Sequence, residues 1–201
     1  MNKTDLRVVK TLARIDDALI GELKEKPLQE VTVESICNRA QINRTTFYKH
    51  YKDRFALVDD YVDRFLEGFS EKGKVIFKDL TDNGLAESEE SVDAIKETTE
   101  FILTRKEEFK LFWDRNLSRN VFNEMITTLA DAYKEVRLEQ EPSIAEDKMK
   151  MDKLDLFSRL TSAAYMQTIR WWINNDVKMD KDEFNDMFRD LIFNGLTGLY
   201  V

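Results

Sequence analysis

With 201 residues, 42% of them hydrophobic and 35% charged, the chain can form a sizeable core, which excludes a disordered polymer. Six glycines and two prolines are too few for the turns of a strand-rich fold, so the composition predicts an all-α protein. The net charge of −8 hides an asymmetry: residues 1–57 hold 11 basic and 8 acidic side chains, an excess suited to a polyanionic partner.

The first predicted helix runs from about Thr4 to Lys26, and Pro27 ends it because the residue before a proline avoids helical geometry. Its apolar residues at helical spacing are Val8, Leu12, Ile15 and Leu19. A short second helix follows Thr32, a predicted N-cap. Its apolar face consists of Val33, Ile36, Cys37 and Ala40. Asn43 is predicted to cap a third helix over residues 44–51.

Longer helices are predicted for the rest of the chain. One begins near Asp53 and reaches about Phe77, and a polar segment at residues 81–88 breaks the pattern. Another helix is predicted from Val92, Ile95, Thr99 and Ile102, and the aromatic stretch 109–113 follows it. Ser118 is predicted to cap a helix whose apolar side carries Phe122, Met125, Leu129, Tyr133 and Val136.

A polar connection at residues 139–147 precedes two closing helices. The first has two apolar stripes: Phe157, Leu160, Ala164 and Trp171 form one, and Tyr165, Ile169 and Trp172 form the other. The second carries Phe184, Phe188, Leu191, Gly195 and Leu199. One apolar stripe is enough to pack a helix against the core of its own chain. The second stripe therefore indicates an additional interface in this part of the chain.

Two short helices joined by a tight turn, at residues 32–40 and 43–50, have the proportions of a helix-turn-helix. Packing of the apolar residues Ile36, Ala40, Ile42 and Phe47 would hold them together. The side chains then left facing solvent would be Arg44, Thr45, Tyr48 and Lys49. Arginine and lysine pair with guanine, and threonine contacts a thymine methyl group or a phosphate. An amphipathic pair that serves only packing has the same periodicity, so periodicity alone leaves both interpretations open.

Residues 32–58, TVESICNRAQINRTTFYKHYKDRFALV, resemble the DNA-binding signature of the tetracycline-repressor (TetR) family of bacterial transcription regulators. The matching positions are Thr32, Val33, Ile36, Cys37, Ala40, Ile42, Asn43, Thr46, Phe47, Tyr48, His50, Tyr51, Arg54 and Leu57. The resemblance covers roughly residues 8–60. It departs from the family at Gln41, where glycine is frequent in the turn; in left-handed geometry a non-glycine residue costs roughly 1–2 kcal/mol.

The resemblance implies an N-terminal three-helix DNA-binding domain at residues 1–57 and a C-terminal helical ligand-binding and dimerisation domain at residues 58–201. By position, Arg44, Thr45 and Lys49 would contact bases. The residues that would hold the phosphate backbone are Thr32, Asn43, Thr46, Tyr48, His50 and Arg54, with Lys52 nearby. Two of these assignments have rivals. Tyr48 could instead pack against the first helix, and His50 could act as a pH sensor or metal ligand.

For the body, the resemblance implies a homodimer through residues about 154–200 and a pocket for a small hydrophobic or aromatic effector. The candidate pocket residues are Phe109, Phe112, Trp113, Phe122, Met125, Tyr165 and Trp171. These residues could equally fill a helical core, and tandem tryptophans would also suit a dimer interface. The function implied is a repressor that binds a palindromic operator and is released by its effector. The alternative is a DNA-bound adaptor or coactivator whose body docks a partner protein.

An enzyme is not expected, because the sequence has no Gly-rich phosphate loop and no Ser/Cys–His pair beyond the isolated Cys37 and His50. Cys37 is expected to be a small buried hydrophobe, with a redox switch as its rival role. With one Cys and one His, no metal site is expected within the chain, and no cofactor is predicted. The N-terminus lacks an apolar run of signal-peptide length and no stretch nears ~18 apolar residues, so we predict a cytoplasmic protein without a membrane segment.

Overall fold

The computed structural model describes residues 3–82, 96, 99–114, 117–175 and 180–190, and within these ranges all regular elements are helical. The α-helices in chain order are α1 Lys3–Glu25, α2 Val33–Ala40, α3 Arg44–Tyr48, α4 Arg54–Asp82, α5 Lys106–Asp114, α6 Val121–Gln140, α7 Lys148–Asn174 and α8 Lys181–Asp190. Residues 99–104 are helical too, and 3₁₀ turns occupy Leu28–Glu30 and Pro142–Glu146. The all-α prediction is confirmed.

The helix starts agree with the sequence analysis where local signals are strong, but the third helix, predicted over residues 44–51, ends already at Tyr48. Helix α1 ends at Glu25, two residues before Pro27. Helix α6 begins at Val121, so the cap predicted at Ser118 was placed too early. The N-terminal part of the helix predicted from Val92 and Ile95 lies outside the described residues, as do Leu191, Gly195 and Leu199 and most of the break predicted at 81–88.

The chain divides into two compact units. The first comprises Met1–Phe65 and Leu111–Val121, and the second comprises Leu66–Lys110 and Phe122–Val201. The first unit has an apolar core drawn from α1, α2, α3 and α4. Its buried side chains include Ile15, Leu19, Leu23, Ile36, Ala40, Phe47, Leu57 and Val58. This core fixes the two short helices that the sequence marks as a helix-turn-helix.

Helices α1 and α2 approach closely because α1 has a glycine where they meet. A Cβ on Gly21 would lie 2.5 Å from Arg39 Nη1 and 2.9 Å from Arg39 Cδ. The absent side chain lets the guanidinium lie against α1, where its Nε donates to Glu22 Oε1 at 2.8 Å and its Nη2 pairs with Glu25. Lys26 Nζ adds a second cation 2.7 Å from Glu22 Oε2. The buried Glu22 carboxylate therefore joins α1 to α2.

The second unit is held by aromatic and ionic contacts between its own helices. Tyr133 of α6 packs against Phe77 of α4, with ring centroids 5.2 Å apart, and against Phe157 of α7, at 5.7 Å. Lys134 Nζ, next along α6, reaches Asp155 Oδ1 of α7 at 2.9 Å. These contacts bury the inner face of α7 against α6.

Candidate nucleic-acid interface

Helix α2 begins at a reciprocal cap formed by Thr32 and Ser35. The Thr32 Oγ1 accepts a hydrogen bond from the Ser35 N–H at 3.0 Å, and Ser35 Oγ accepts one from the Thr32 N–H at 3.2 Å. This capping box confirms Thr32 as the N-cap and fixes where α2 starts. Thr32 is exposed and its Oγ1 acts only as an acceptor here, so its hydroxyl proton remains available to a phosphate oxygen.

The turn after α2 is left-handed at Gln41, with φ 52° and ψ 48°. The Ile42 N–H donates to the Cys37 carbonyl at 3.0 Å and the Gln41 N–H to the Asn38 carbonyl at 3.2 Å, which is the hydrogen-bond pattern of a Schellman motif. Arg14 Nη2 of α1 donates to the Gln41 carbonyl at 2.9 Å. Gln41 thus stands in the conformation that glycine adopts without a steric cost.

Replacing Gln41 with Gly should raise the free energy of unfolding by about 0.5–1 kcal/mol. Glycine removes left-handed strain of roughly 1–2 kcal/mol, and the greater freedom of the unfolded chain offsets part of that gain. Urea denaturation measures the change. The matched control is Asn38→Gly in the exposed interior of α2, which should lower stability by about 0.5 kcal/mol. A loss of stability in Gln41→Gly would show that the turn gains nothing from glycine.

Helix α3 is capped by Asn43, as predicted from the sequence. Asn43 Oδ1 accepts hydrogen bonds from the Thr46 N–H at 2.7 Å and from the Thr46 hydroxyl at 2.8 Å. Phe47, fully buried, anchors the helix to the core of the first unit. The cap and the anchor together orient the other side chains of α3. In the free protein the Thr46 hydroxyl donates a hydrogen bond to Asn43 Oδ1. To donate to a phosphate oxygen instead, as predicted, the hydroxyl would have to break this bond.

The predicted DNA-contacting residues all belong to the first unit: Thr32 caps α2, Arg54 begins α4, and the others lie on α3 or within four residues of its ends. Those with exposed side chains are Thr32, Asn43, Arg44, Thr45, Tyr48, Lys49, His50 and Lys52, and the half-buried ones are Thr46 and Arg54. Tyr48 is 55% exposed and meets Phe47 edge-on, with ring centroids 5.6 Å apart. Its exposure favours the predicted surface role over the rival packing role.

Arg44 has an acidic neighbour that the sequence analysis did not identify. Its Nη2 lies 2.5 Å from Glu34 Oε2, and both side chains are more than half exposed. Glu34 belongs to the first turn of α2, so this pair connects the start of α2 with the start of α3. A nucleic acid that binds the Arg44 guanidinium must therefore displace the Glu34 carboxylate. Arg54, at the start of α4, lies over the Phe55 ring, with its Cζ 4.6 Å from the centroid.

Tyr51, buried just beyond α3, is connected to α1 and α4 by a chain of hydrogen bonds. Its hydroxyl donates to Asp60 Oδ2 at 2.9 Å, and Arg64 Nε donates to the same oxygen at 3.0 Å. Arg64 also makes two bonds of 2.9 Å to the Asp16 carboxylate. Burial, together with the bond to Asp60, raises the pKa of Tyr51, so the phenol remains a donor. These bonds fix the end of α3 in the first unit.

The chemistry that competes with this interpretation has little support among the described residues. Cys37 is buried, and burial raises the pKa of its thiol, opposed by the nearby charge of Arg44, so the reactive thiolate is disfavoured. No cluster of three or more His, Cys, Asp or Glu side chains suited to a metal occurs in the part of the chain that the structure describes. None of its helices is long and apolar enough to cross a bilayer.

The predicted pocket residues fall into both units. Phe112 and Trp113 belong to the first, while Phe109, Phe122, Met125, Tyr165 and Trp171 belong to the second. Trp171 is 48% exposed, and the other six are buried or half-buried. The rings of Phe109 and Phe69 meet edge-on, with their centroids 6.3 Å apart, and the Arg170 Cζ lies 4.5 Å from the centroid of the Phe122 ring. These contacts are those of a packed helical core, and the pocket stays a prediction.

No protein-family model matches the chain. An uncharacterized HTH-type transcriptional regulator, YxbF of Bacillus subtilis strain 168, is 18% identical over 182 residues, which cover 90% of this chain and 44% of YxbF. The chain thus spans less than half the length of that relative. A TetR-family transcriptional regulator from Bordetella parapertussis 12822 superposes with a TM-score of 0.55 at 13% identity, over 94% of this chain and 97% of the other. At this identity the likeness shows the fold.

Proposed function

We propose that this chain, which folds like a TetR-family transcriptional regulator, is a DNA-binding repressor that binds a palindromic operator as a dimer and is released by a small-molecule effector. The observation that carries the proposal is the capped pair of α2 and α3, whose exposed side holds Arg44, Thr45 and Lys49. The cap at Asn43 fixes the start of α3, which carries Arg44 and Thr45 and is directly followed by Lys49, and α3 would be the helix that enters the major groove.

Base readout is assigned to Arg44, Thr45 and Lys49, and backbone contacts are assigned to the residues around them. Arginine and lysine donate to guanine O6 and N7, and the threonine methyl group fits against thymine. The proposed phosphate contacts are Thr32, Asn43, Thr46, Tyr48, His50, Lys52 and Arg54. Their hydroxyl, amide and cationic groups carry no sequence information but set the register of the protein on the duplex.

A homodimer through residues about 154–200 is supported by apolar side chains of α7 that stay exposed in the part of the chain that the structure describes. Leu156 is 60% exposed, Leu160 45% and Trp171 48%, whereas Ile169 and Trp172 are buried. At 100° per residue the three exposed side chains fall within an arc of about 60° on one side of the helix. A second copy of α7 would cover this stripe and bring together two recognition helices, which a palindromic operator requires about 34–36 Å apart.

The effector is proposed to be small and hydrophobic or aromatic, and to bind among the predicted pocket residues. By linkage, DNA and effector must weaken each other's binding by the same factor. An effector that releases the operator therefore binds the free dimer more tightly than the DNA-bound dimer. A protein whose body takes no effector would instead fit the adaptor alternative.

Replacing Lys49 with Ala should weaken binding to a specific duplex by about 1–3 kcal/mol and leave binding to a scrambled duplex nearly unchanged, and replacing Arg44 should do the same once Glu34 is neutralised as well. The specific duplex is the one enriched from a random-sequence library by the wild-type protein. Fluorescence anisotropy with both duplexes gives the two affinities. His50→Ala is the contrasting variant, because loss of a phosphate contact should weaken both equally.

The pairing of Arg44 with Glu34 calls for one further variant. Arg44→Ala leaves the Glu34 carboxylate unneutralised near the DNA, which by itself would repel any duplex. The double variant Arg44→Ala, Glu34→Gln removes that repulsion and isolates the base contact. If the double variant loses no preference for the enriched duplex, Arg44 does not read bases.

A further inference from the structure

Three basic residues lie along one side of α1, outside the set assigned to the DNA interface above. Arg7, Lys10 and Arg14 are spaced by three and four residues, so they share a helix face, and all three are exposed. We call them the α1 basic stripe. At 1.5 Å per residue, the stripe extends about 10 Å along the helix axis.

One end of the α1 basic stripe is fixed beside the recognition turn. Arg14 Nη2 donates to the carbonyl oxygen of Gln41 at 2.9 Å, and Gln41 comes two residues before Asn43, the cap of α3. The stripe therefore starts at the turn between α2 and α3 and continues along α1 towards its N-terminal end. All of these residues belong to the first unit.

The charge of the α1 basic stripe is not neutralised within the described residues. Arg7 and Lys10 make no ion pair there, and Arg14 donates to a neutral carbonyl. By contrast, three cations of the first unit are paired with buried or half-buried carboxylates: Lys26 and Arg39 with Glu22, and Arg64 with Asp16. The stripe therefore presents uncompensated positive charge that adjoins the helix-turn-helix, in a protein whose net charge is −8.

We infer that the α1 basic stripe is a second backbone-contact surface, in which Arg7 and Lys10 bind phosphates flanking the base pairs read by α3. The inference rests on the proposed DNA-binding function. With one phosphate for each cation, Arg7 and Lys10 would neutralise two phosphates. Such contacts release counterions and carry no sequence information. They therefore lengthen the DNA segment that the protein covers without changing the base sequence that it prefers.

The test is the salt dependence of binding to the enriched duplex, measured with Arg7→Gln, Lys10→Gln and the double variant. Each lost phosphate contact should reduce the slope of log affinity against log salt by about 1, so the double variant should lose about 2. The preference for the enriched over the scrambled duplex should not change. On a duplex trimmed to the base pairs read by α3, the double variant and wild type should have the same slope.

The matched control is Lys24→Gln, at the exposed C-terminal end of the same helix and also without an ion pair among the described residues. It removes the same charge but lies outside the stripe, so its slope should equal that of wild type. A charge-conserving double variant, Arg7→Lys with Lys10→Arg, should also keep the wild-type slope. Thermal unfolding of each variant checks that these exposed substitutions leave the fold intact.

The outcomes separate this inference from the proposed function. If wild type enriches and binds a duplex but the double variant keeps the wild-type slope, the stripe makes no phosphate contact and the inference is overturned alone. If wild type prefers no duplex over scrambled DNA, the proposed function fails and the inference fails with it. A slope reduced equally by Lys24→Gln would assign the effect to net charge and would also overturn the inference.

Discussion

Replacing Glu22 with Gln is expected to lower the free energy of unfolding by about 3 kcal/mol at neutral pH. Glu22 is 5% exposed and its carboxylate meets two cations, Arg39 and Lys26, at 2.8 and 2.7 Å. Removing the Glu22 charge leaves Lys26 without this partner and takes one of two carboxylates from Arg39, and a hydrogen bond to a charged group typically contributes about 1.5–3 kcal/mol. Equilibrium denaturation in urea at pH 7 measures the loss.

Glu25→Gln is the matched control, because Glu25 pairs with the same guanidinium from an exposed position. Exposed pairs contribute about 0–1 kcal/mol, so this variant should be nearly as stable as wild type. Equal losses for the two substitutions would mean that burial does not distinguish the two carboxylates. The role assigned to Glu22 as the joint between α1 and α2 would then be wrong.

The stabilisation from Glu22 should also depend on pH. Burial raises the pKa of Glu22, but hydrogen bonds from Lys26, Ser35 and Arg39 outweigh it and hold the pKa at about 2, below the ordinary value of 4.5. A depressed carboxyl pKa stabilises the fold fully above about pH 4.5, and the stabilisation is lost as the pH falls towards 2. The stability gap between wild type and Glu22→Gln should therefore narrow over that range. A gap that stays constant from pH 5 to pH 2.5 would contradict the ionised, buried state.

Replacing Leu160 with Asp is expected to dissociate the proposed dimer and abolish binding to the palindromic duplex. Leu160 lies in the middle of the exposed apolar face of α7, between Leu156 and Trp171. In a two-fold symmetric interface one substitution introduces two buried carboxylates, so the dimer dissociation constant should rise on the order of 100-fold or more. Sedimentation velocity should then show a 23.7 kDa monomer at concentrations where wild type is dimeric.

Val75→Asp is the matched control for this experiment. Val75, on α4 of the second unit, is an apolar residue with 61% exposure, so the substitution has the same chemistry at a site away from α7. It should leave both the dimer and the DNA affinity close to wild type. A monomeric wild-type protein, or a dimer that tolerates Leu160→Asp, would remove the exposed face of α7 from the interface.

The sequence alone was sufficient to place the starts of both helices of the helix-turn-helix, because their caps depend on short-range contacts, but it placed the end of α3 three residues too late. Thr32 caps α2 through Ser35, and Asn43 caps α3 through Thr46, each across three residues. The buried positions Ile36, Ala40 and Phe47 repeat at helical spacing within the same short segment. Composition alone predicted the all-α class, because scarce glycine and proline limit the number of turns.

Only the tertiary structure shows which partners several basic side chains contact. The sequence could not predict these partners, because they lie far apart along the chain. Arg14 meets Gln41 across 27 residues, and Arg64 meets Asp16 across 48. The spacing of Arg7, Lys10 and Arg14 was readable from the sequence. Its position beside the recognition turn was not, because it depends on how α1 packs against α2.

The same distinction applies to the two apolar stripes of α7. Periodicity predicted both stripes but gave no reason to prefer one as the core, because each has the aliphatic and aromatic residues that a core uses. Packing within the chain buries Ile169 and Trp172, places Phe157 of the other stripe against Tyr133, and leaves Leu160 and Trp171 exposed. A single neighbouring core covers only part of the helix surface, so only the folded chain determines which apolar residues of the two stripes remain for a partner.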